Sequence, residues 1–135
     1  MKLEYIHPHH VVSVWPRVEK MLADAIAFSG GEYSADQLKV LLVTGHQVLL
    51  IALDGDDVAG AVTVASECYP NVTVAFITAI GGRLISDADL FSQLKAWCLQ
   101  RGYTRIRGLA RESVARLWRQ KFKFYEISRV VEVSL

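Results

Sequence analysis

The sequence has few cysteines, no long apolar run and no low-complexity segment, and each shortage excludes a class of protein. Two cysteines among 135 residues are too few for a disulfide framework. No apolar stretch approaches about 18 residues, so a transmembrane helix is not predicted. The N-terminal segment MKLEYIHPHH has no hydrophobic signal core, and a cytoplasmic location is therefore expected. Without repeats or linkers, residues 1–135 are expected to form one domain.

The formal net charge is only +1, but the charge is unevenly distributed. Residues 1–100 carry 6 Lys/Arg and 11 Asp/Glu, a net of −5, whereas residues 101–135 carry 9 and 3, a net of +6. The basic last third is able to neutralise the acidic part by packing, or to contact ligand phosphates or nucleic acid. The small net charge and the lack of interleaved exposed aromatic residues argue against a nucleic-acid partner.

The most informative stretch is 71–102. Its apolar residues first alternate, as in a strand, through 72–80. Gly81-Gly82 then breaks the strand, and Ser86 is a predicted N-cap for an amphipathic helix that ends at Gly102. A strand, a glycine turn and a helix N-terminus are a common arrangement for binding an anion.

Periodicity and turn residues divide the whole chain into ten elements. They are strand 2–6, a helix ending near 28, a short helix from Ser34 to Gly45, strands 48–53, 58–65 and 72–80, a helix from Ser86, strand 104–109, helix 111–122 and a closing strand 124–133. The order β-α-α-β-β-β-α-β-α-β predicts a single-domain α/β fold with a mixed, mostly antiparallel sheet flanked by helices. Apolar residues near 130–133 predict an edge that pairs across a homodimer.

Several short motifs accompany this order. They are Trp15, Ser29-Gly30-Gly31-Glu32-Tyr33, Gly45, Tyr69-Pro70, Gly81-Gly82, Leu94 with Ala96-Trp97, and residues 111–118. With the element order, they resemble the GNAT superfamily of acetyl-CoA-dependent N-acetyltransferases, and within it small GNAT-like proteins encoded in bacteriophage genomes. The resemblance implies acetyl-CoA or another acyl-CoA as cofactor and an amine as acceptor.

The resemblance also implies a set of cofactor-binding residues. The family signature for the CoA pyrophosphate matches Arg83 to Ala88, except that Ser86 replaces the middle glycine and Asp87 and Asp89 add carboxylates. The residues implied to bind the cofactor are Thr78, Ala79, Ile80, Gly82, Arg83, Ser86, Ala88 and Arg111. A backbone N–H of the preceding strand would polarise the thioester carbonyl.

The catalytic residues are not identified by the sequence. The tyrosine that in the family protonates the leaving thiolate is missing, because Trp118 stands near its place. Glu67 and Tyr125 are the candidates for proton transfer, and the cluster of histidines at 7–10 has no metal-ligand spacing. Two hypotheses stay open: an N-acetyltransferase with a degenerate cofactor loop, or a catalytically inactive GNAT-fold binding or structural module.

Overall fold

The computed structural model describes residues 1–135 and contains a five-stranded sheet with helices on both faces. The strands, in their order across the sheet, are β1 (Lys2–Ile6), β2 (Val48–Asp54), β3 (Asp57–Cys68), β4 (Thr73–Gly82) and β5 (Arg105–Gly108). The helices are α1 (Val11–Ile26), α2 (Ala35–Val43), α3 (Ala88–Gln100) and α4 (Glu112–Phe122). Only β4 and β5 pair in parallel. The predicted fold class is therefore confirmed. None of the helices combines the length and apolarity needed to span a bilayer.

Two separate apolar cores lie on opposite faces of the sheet. Alternation along β2 directs Leu49 and Ile51 into a core with α1 and α2. Leu50 and Ala52 point the other way, into a core with α3 and α4. Because both faces are covered, β2 is a continuous apolar run in the sequence instead of an alternating one.

Strand β4 contains a β-bulge at Thr78. The pairing with β3 passes from Ile77 to Ala79 between consecutive β3 residues, so Thr78 has no partner of its own. The extra residue resets the alternation: Ile77 packs in the core with α3 and α4, and Ala79 packs in the core with α1 and α2. The sequence predicts uninterrupted alternation through 72–80, and this prediction is wrong beyond Thr78.

Side-chain caps fix the starts of two helices. Ser34 and Gln37 form a capping box at the start of α2, with backbone-to-side-chain distances of 2.9 and 3.3 Å. Helix α3, however, is capped by Asp87 and not by Ser86, since the N–H of Leu90 donates to Asp87 Oδ1 at 2.9 Å. A carboxylate at this position also interacts favourably with the positive end of the helix dipole.

The closing strand predicted over 124–133 does not form, and no regular structure follows α4. Phe124 packs on Trp118, with ring centroids 5.0 Å apart, but the apolar side chains after it are exposed, Val131 by 90%. Alternation shows which side chains could share a face, whereas a strand also needs a backbone partner. None of these residues makes a backbone hydrogen bond to β5. Pairing of 130–133 across a homodimer stays a prediction.

Candidate active site

A cleft opens in the sheet where β4 and β5 separate. The last residue pair between the two strands is Ile77 with Gly108. The bulge at Thr78 follows directly on β4, and the chain after Gly108 turns into α4. The edge of β4 over residues 78–82 therefore has no strand partner on this side, and its outward backbone groups are available to a ligand.

The cleft has a volume of about 590 Å³ and is lined mostly by apolar residues. Its floor is residues 76–82 of β4, one wall is α1 with the loop that follows it, and the other is the start of α4. Among the implied cofactor-binding residues, the structure brings together in this lining Thr78, Ala79, Ile80, Gly82 and Arg111.

Two glycines shape the end of β4. Gly82 has φ +67° and ψ −148°, a backbone region essentially restricted to glycine, and a Cβ there would collide with the carbonyl oxygen of Ala59. A Cβ at Gly81 would lie 2.7 Å from Cγ of Met21. Side chains at these two positions would push β4 away from β3 and α1, so the floor of the cleft depends on glycine here.

The side chain of Thr78 supports the sheet and not the cleft. Its hydroxyl donates to Gln47 Oε1 at 2.6 Å and lies 2.7 Å from the hydroxyl of Thr63. Gln47 and Thr63 are both buried, so this network satisfies polar groups at the bulge. Thr78 can therefore contribute only its backbone to a ligand in the cleft.

The α1 side of the cleft carries polar residues that the sequence analysis did not select for the site. Asp24, Glu32 and Tyr33 line the cleft together with the exposed ring of Phe28. In the sequence, Glu32 and Tyr33 belong to the motif at 29–33 and carry no separate signal of a binding role. The signal that could have identified them is the glycine pair at 30–31, which marks an exposed loop between two helices beside the sheet.

Arg111 joins the two walls of the cleft. Its guanidinium carbon lies 3.9 Å from the centroid of the Phe28 ring, which is the geometry of a cation–π contact. Arg111 is also the N-cap residue of α4, whereas Phe28 follows α1. The contact therefore connects the loop after α1 to the start of α4 across the cleft.

The segment implied to bind a pyrophosphate lies beside the cleft and mostly outside its lining. Of residues 83–88 only Ile85 lines the cleft, so Arg83, Ser86 and Ala88 are not brought together with the β4 edge. The Arg83 guanidinium lies 4.0 Å from the carboxylate of Asp87.

Trp118 lies between this segment and the cleft. It is buried, lines the cleft and donates from Nε1 to the carbonyl oxygen of Ile85 at 3.1 Å. Its ring also packs against Gly108, where a Cβ would lie 3.5 Å from Cζ3. An indole has no proton to transfer at neutral pH, so Trp118 shapes the cleft without acting as an acid.

A larger groove of about 970 Å³ lies on the other side of Trp118. Both catalytic candidates from the sequence, Glu67 and Tyr125, line this groove and not the cleft. Tyr125 is 73% exposed. The β4 edge and these two side chains therefore belong to different concavities; the larger one runs along β5, the edge strand of the sheet.

The remaining reactive side chains do not form a site. Cys98 is 3% exposed, and burial raises the pKa of its thiol to about 11, which keeps it protonated at neutral pH. Cys68 is exposed at the end of β3. No group of three or more His, Cys, Asp or Glu side chains is placed to hold a metal ion.

No protein-family model matches the sequence, and no curated protein matches it. Solved structures match along nearly the whole chain. A probable acetyltransferase superposes with a TM-score of 0.71 at 17% identity, over 100% of this chain and 97% of that one. The chain has the fold of the GNAT acetyltransferases.

Two further GNAT-fold structures contain ligands. An aminoglycoside acetyltransferase from an uncultured soil metagenomic sample, solved with sisomicin, has a TM-score of 0.70 at 15% identity, over 99% of this chain and 94% of that one. A predicted acetyltransferase from Clostridium acetobutylicum, solved with acetyl-CoA, has a TM-score of 0.67 at 13% identity, over 98% and 95%. The resemblance to phage-encoded proteins stays a prediction.

Proposed function

We propose that the cleft between β4 and β5 binds an acyl thioester such as acetyl-CoA and that the protein transfers the acyl group to an amine. The observation that carries the proposal is the open β4 edge over 78–82, which faces a mostly apolar cleft. A bound acyl thioester supplies an electrophilic carbonyl: the amine nitrogen bonds to its carbon, the C–S bond breaks, and the amine proton ends on the thiol.

On the donor side of the cleft, the groups available to a ligand are backbone N–H and C=O groups of β4 and not reactive side chains. An extended chain with amide groups, such as a pantetheine arm, can pair with the open edge of β4 as a further strand would. Ala79, Ile80 and Gly82 belong to this edge, and an N–H among them would hold the thioester carbonyl and stabilise developing negative charge. Arg111, which closes one wall, would exclude water from the thioester together with Phe28.

The acceptor side of the cleft suits a cationic amine. Glu32 places a carboxylate at the α1 wall, and Tyr33 adds aromatic surface. Asp24 also lines this wall but is paired with Lys20 at 3.0 Å, and the ring of Phe28 contacts Arg111. Carboxylates attract an ammonium group, and aromatic faces bind cations. We therefore assign amine binding to this wall.

A catalytically inactive binding module is the second candidate. Two observations favour it: the N–H of Trp118 is bound to Ile85 where the family resemblance implies a proton-donating tyrosine, and Asp87 caps the helix that would receive a pyrophosphate. The two candidates differ in whether amine-dependent thiol release follows donor binding.

The test is titration calorimetry with acetyl-CoA, followed by measurement of thiol release with a panel of primary amines. Micromolar binding and amine-dependent release are expected. Glu32→Gln should slow release at least about tenfold with cationic amines while donor affinity stays the same, because only the acceptor wall loses charge. Glu19→Gln on α1, outside both concavities, is the matched control and should change neither quantity. Absence of binding at millimolar acetyl-CoA would exclude the proposed function.

A further inference from the structure

Four of the six backbone N–H groups of residues 86–91, at the start of α3, are hydrogen-bonded within the protein. The N–H groups of Ser86 and Asp87 both donate to the carbonyl oxygen of Arg83, at 3.3 and 3.0 Å. One turn on, Leu90 donates to the Asp87 side chain at 2.9 Å and Phe91 to the Asp87 carbonyl at 3.0 Å. A helix N-terminus binds an anion through N–H groups that lack acceptors, and here only those of residues 88 and 89 remain.

The charges at this turn also disfavour a second anion. The Asp87 carboxylate, with its side chain 21% exposed, sits where an anion would meet the helix dipole. Asp89, in the first turn of α3, adds another carboxylate. It accepts a hydrogen bond from the Gln93 side chain at 3.1 Å. The Arg83 guanidinium, 4.0 Å from Asp87, and the Lys121 ammonium, 3.1 Å from the Ser86 carbonyl oxygen, offset these two carboxylates, so the turn has no excess of positive charge for a diphosphate.

Helix α4 holds the segment in this conformation. Trp118 donates to the carbonyl of Ile85, and Lys121 Nζ donates to the carbonyl of Ser86 at 3.1 Å. These two contacts fix consecutive peptide units before α3. Releasing the N–H groups of Ser86 and Asp87 for an incoming anion would therefore require breaking several hydrogen bonds at once. The residues present at this turn do not fit a diphosphate.

We infer, building on the proposed function, that the cleft recognises its donor through the acyl-pantetheine arm alone. The substrate class is then acyl-pantetheine thioesters, whether or not an adenosine diphosphate is attached. The open β4 edge supplies the binding groups for the arm, whereas at the start of α3 only the N–H groups of residues 88 and 89 are free and the Asp87 carboxylate caps the same helix end. Free acetyl-pantetheine and acetyl-CoA become equivalent donors.

The first experiment compares the dissociation constants of acetyl-CoA and acetyl-pantetheine for the full chain by titration calorimetry. The two values are expected to agree within about threefold, since the nucleotide adds no favourable contact. Acetyl-CoA binding tighter than this threefold limit would overturn the inference and leave the proposed function in place. Equal binding without amine-dependent thiol release would support the inference and exclude the transferase function. Failure of both ligands to bind would overturn both.

The second experiment removes the charge that excludes the diphosphate. Asp87→Asn keeps a side-chain oxygen to cap α3 and removes one negative charge. Acetyl-CoA should then bind about fivefold tighter or more, while acetyl-pantetheine affinity changes less than about twofold. Asp36→Asn makes the same charge change in the first turn of α2, outside both concavities, and should alter neither affinity. Unchanged or weaker acetyl-CoA binding in Asp87→Asn would overturn the inference.

Discussion

Replacing Trp118 with phenylalanine tests whether the segment before α3 depends on one side-chain hydrogen bond. The change removes the indole N–H and leaves the half-buried Ile85 carbonyl without its donor, at a net cost of about 0.5–1.5 kcal/mol, because water in the cleft can reach this group. Loss of part of a buried ring against Gly108 adds about 1 kcal/mol. Trp118→Phe should therefore lower the free energy of unfolding by about 1.5–2.5 kcal/mol.

Trp97→Phe is the matched control. Trp97 is only half-buried, stacks between Tyr5 and Tyr103, and donates no hydrogen bond from its indole, so its replacement keeps a ring in the same stack. We expect a loss of less than about 1 kcal/mol. The assay is urea unfolding at 25 °C followed by circular dichroism, which does not depend on the altered fluorophore. Equal losses in the two variants would refute the assignment of the larger effect to the hydrogen bond.

Two further predictions concern single residues outside the cleft. Lys123 ends α4 with φ 60°, a left-handed conformation that costs an L-residue about 1 kcal/mol, so Lys123→Gly should raise the midpoint of thermal unfolding by roughly 2–4 °C. Lys123→Ala keeps the unfavourable conformation and should give no gain; equal midpoints for both variants would contradict the reasoning. For Cys98 the folded-state pKa of about 11 exceeds the ordinary 9.0, so its contribution to stability is complete below pH 9.0 and is lost as the pH rises from 9.0 to about 11. Urea unfolding at several pH values should show this decline in the wild type and a smaller one in Cys98→Ala, and parallel curves would argue against the raised pKa.

The sequence predicts the elements whose signals are local. Alternation and turn residues place β1, β2, β3 and the start of α2 after Ser34, because each depends on neighbours within a few residues. The parallel pairing of β4 with β5 also follows, since a helix connects them. These elements suffice to identify the fold class.

Features that depend on distant parts of the chain were not predictable. The bulge at Thr78 follows from its register against β3 and its hydrogen bond to Gln47, neither of which is local. The carboxylates of Asp24 and Glu32 join the site only because α1 packs beside the end of β4. The segment after Phe124 has the alternation of a strand, but no pattern in a segment shows whether a backbone edge is available to it.

The division of the interior by the sheet has a consequence for how the sequence can change over time. Side chains in the core with α1 and α2 do not share a cluster with those in the core with α3 and α4, although Leu49 and Leu50 are adjacent in the chain. Volume changes on one side can be compensated by neighbours on that side, because contacting residues couple and separated ones largely do not. The core with α1 and α2 and the core with α3 and α4 can therefore accumulate compensating substitutions independently of each other.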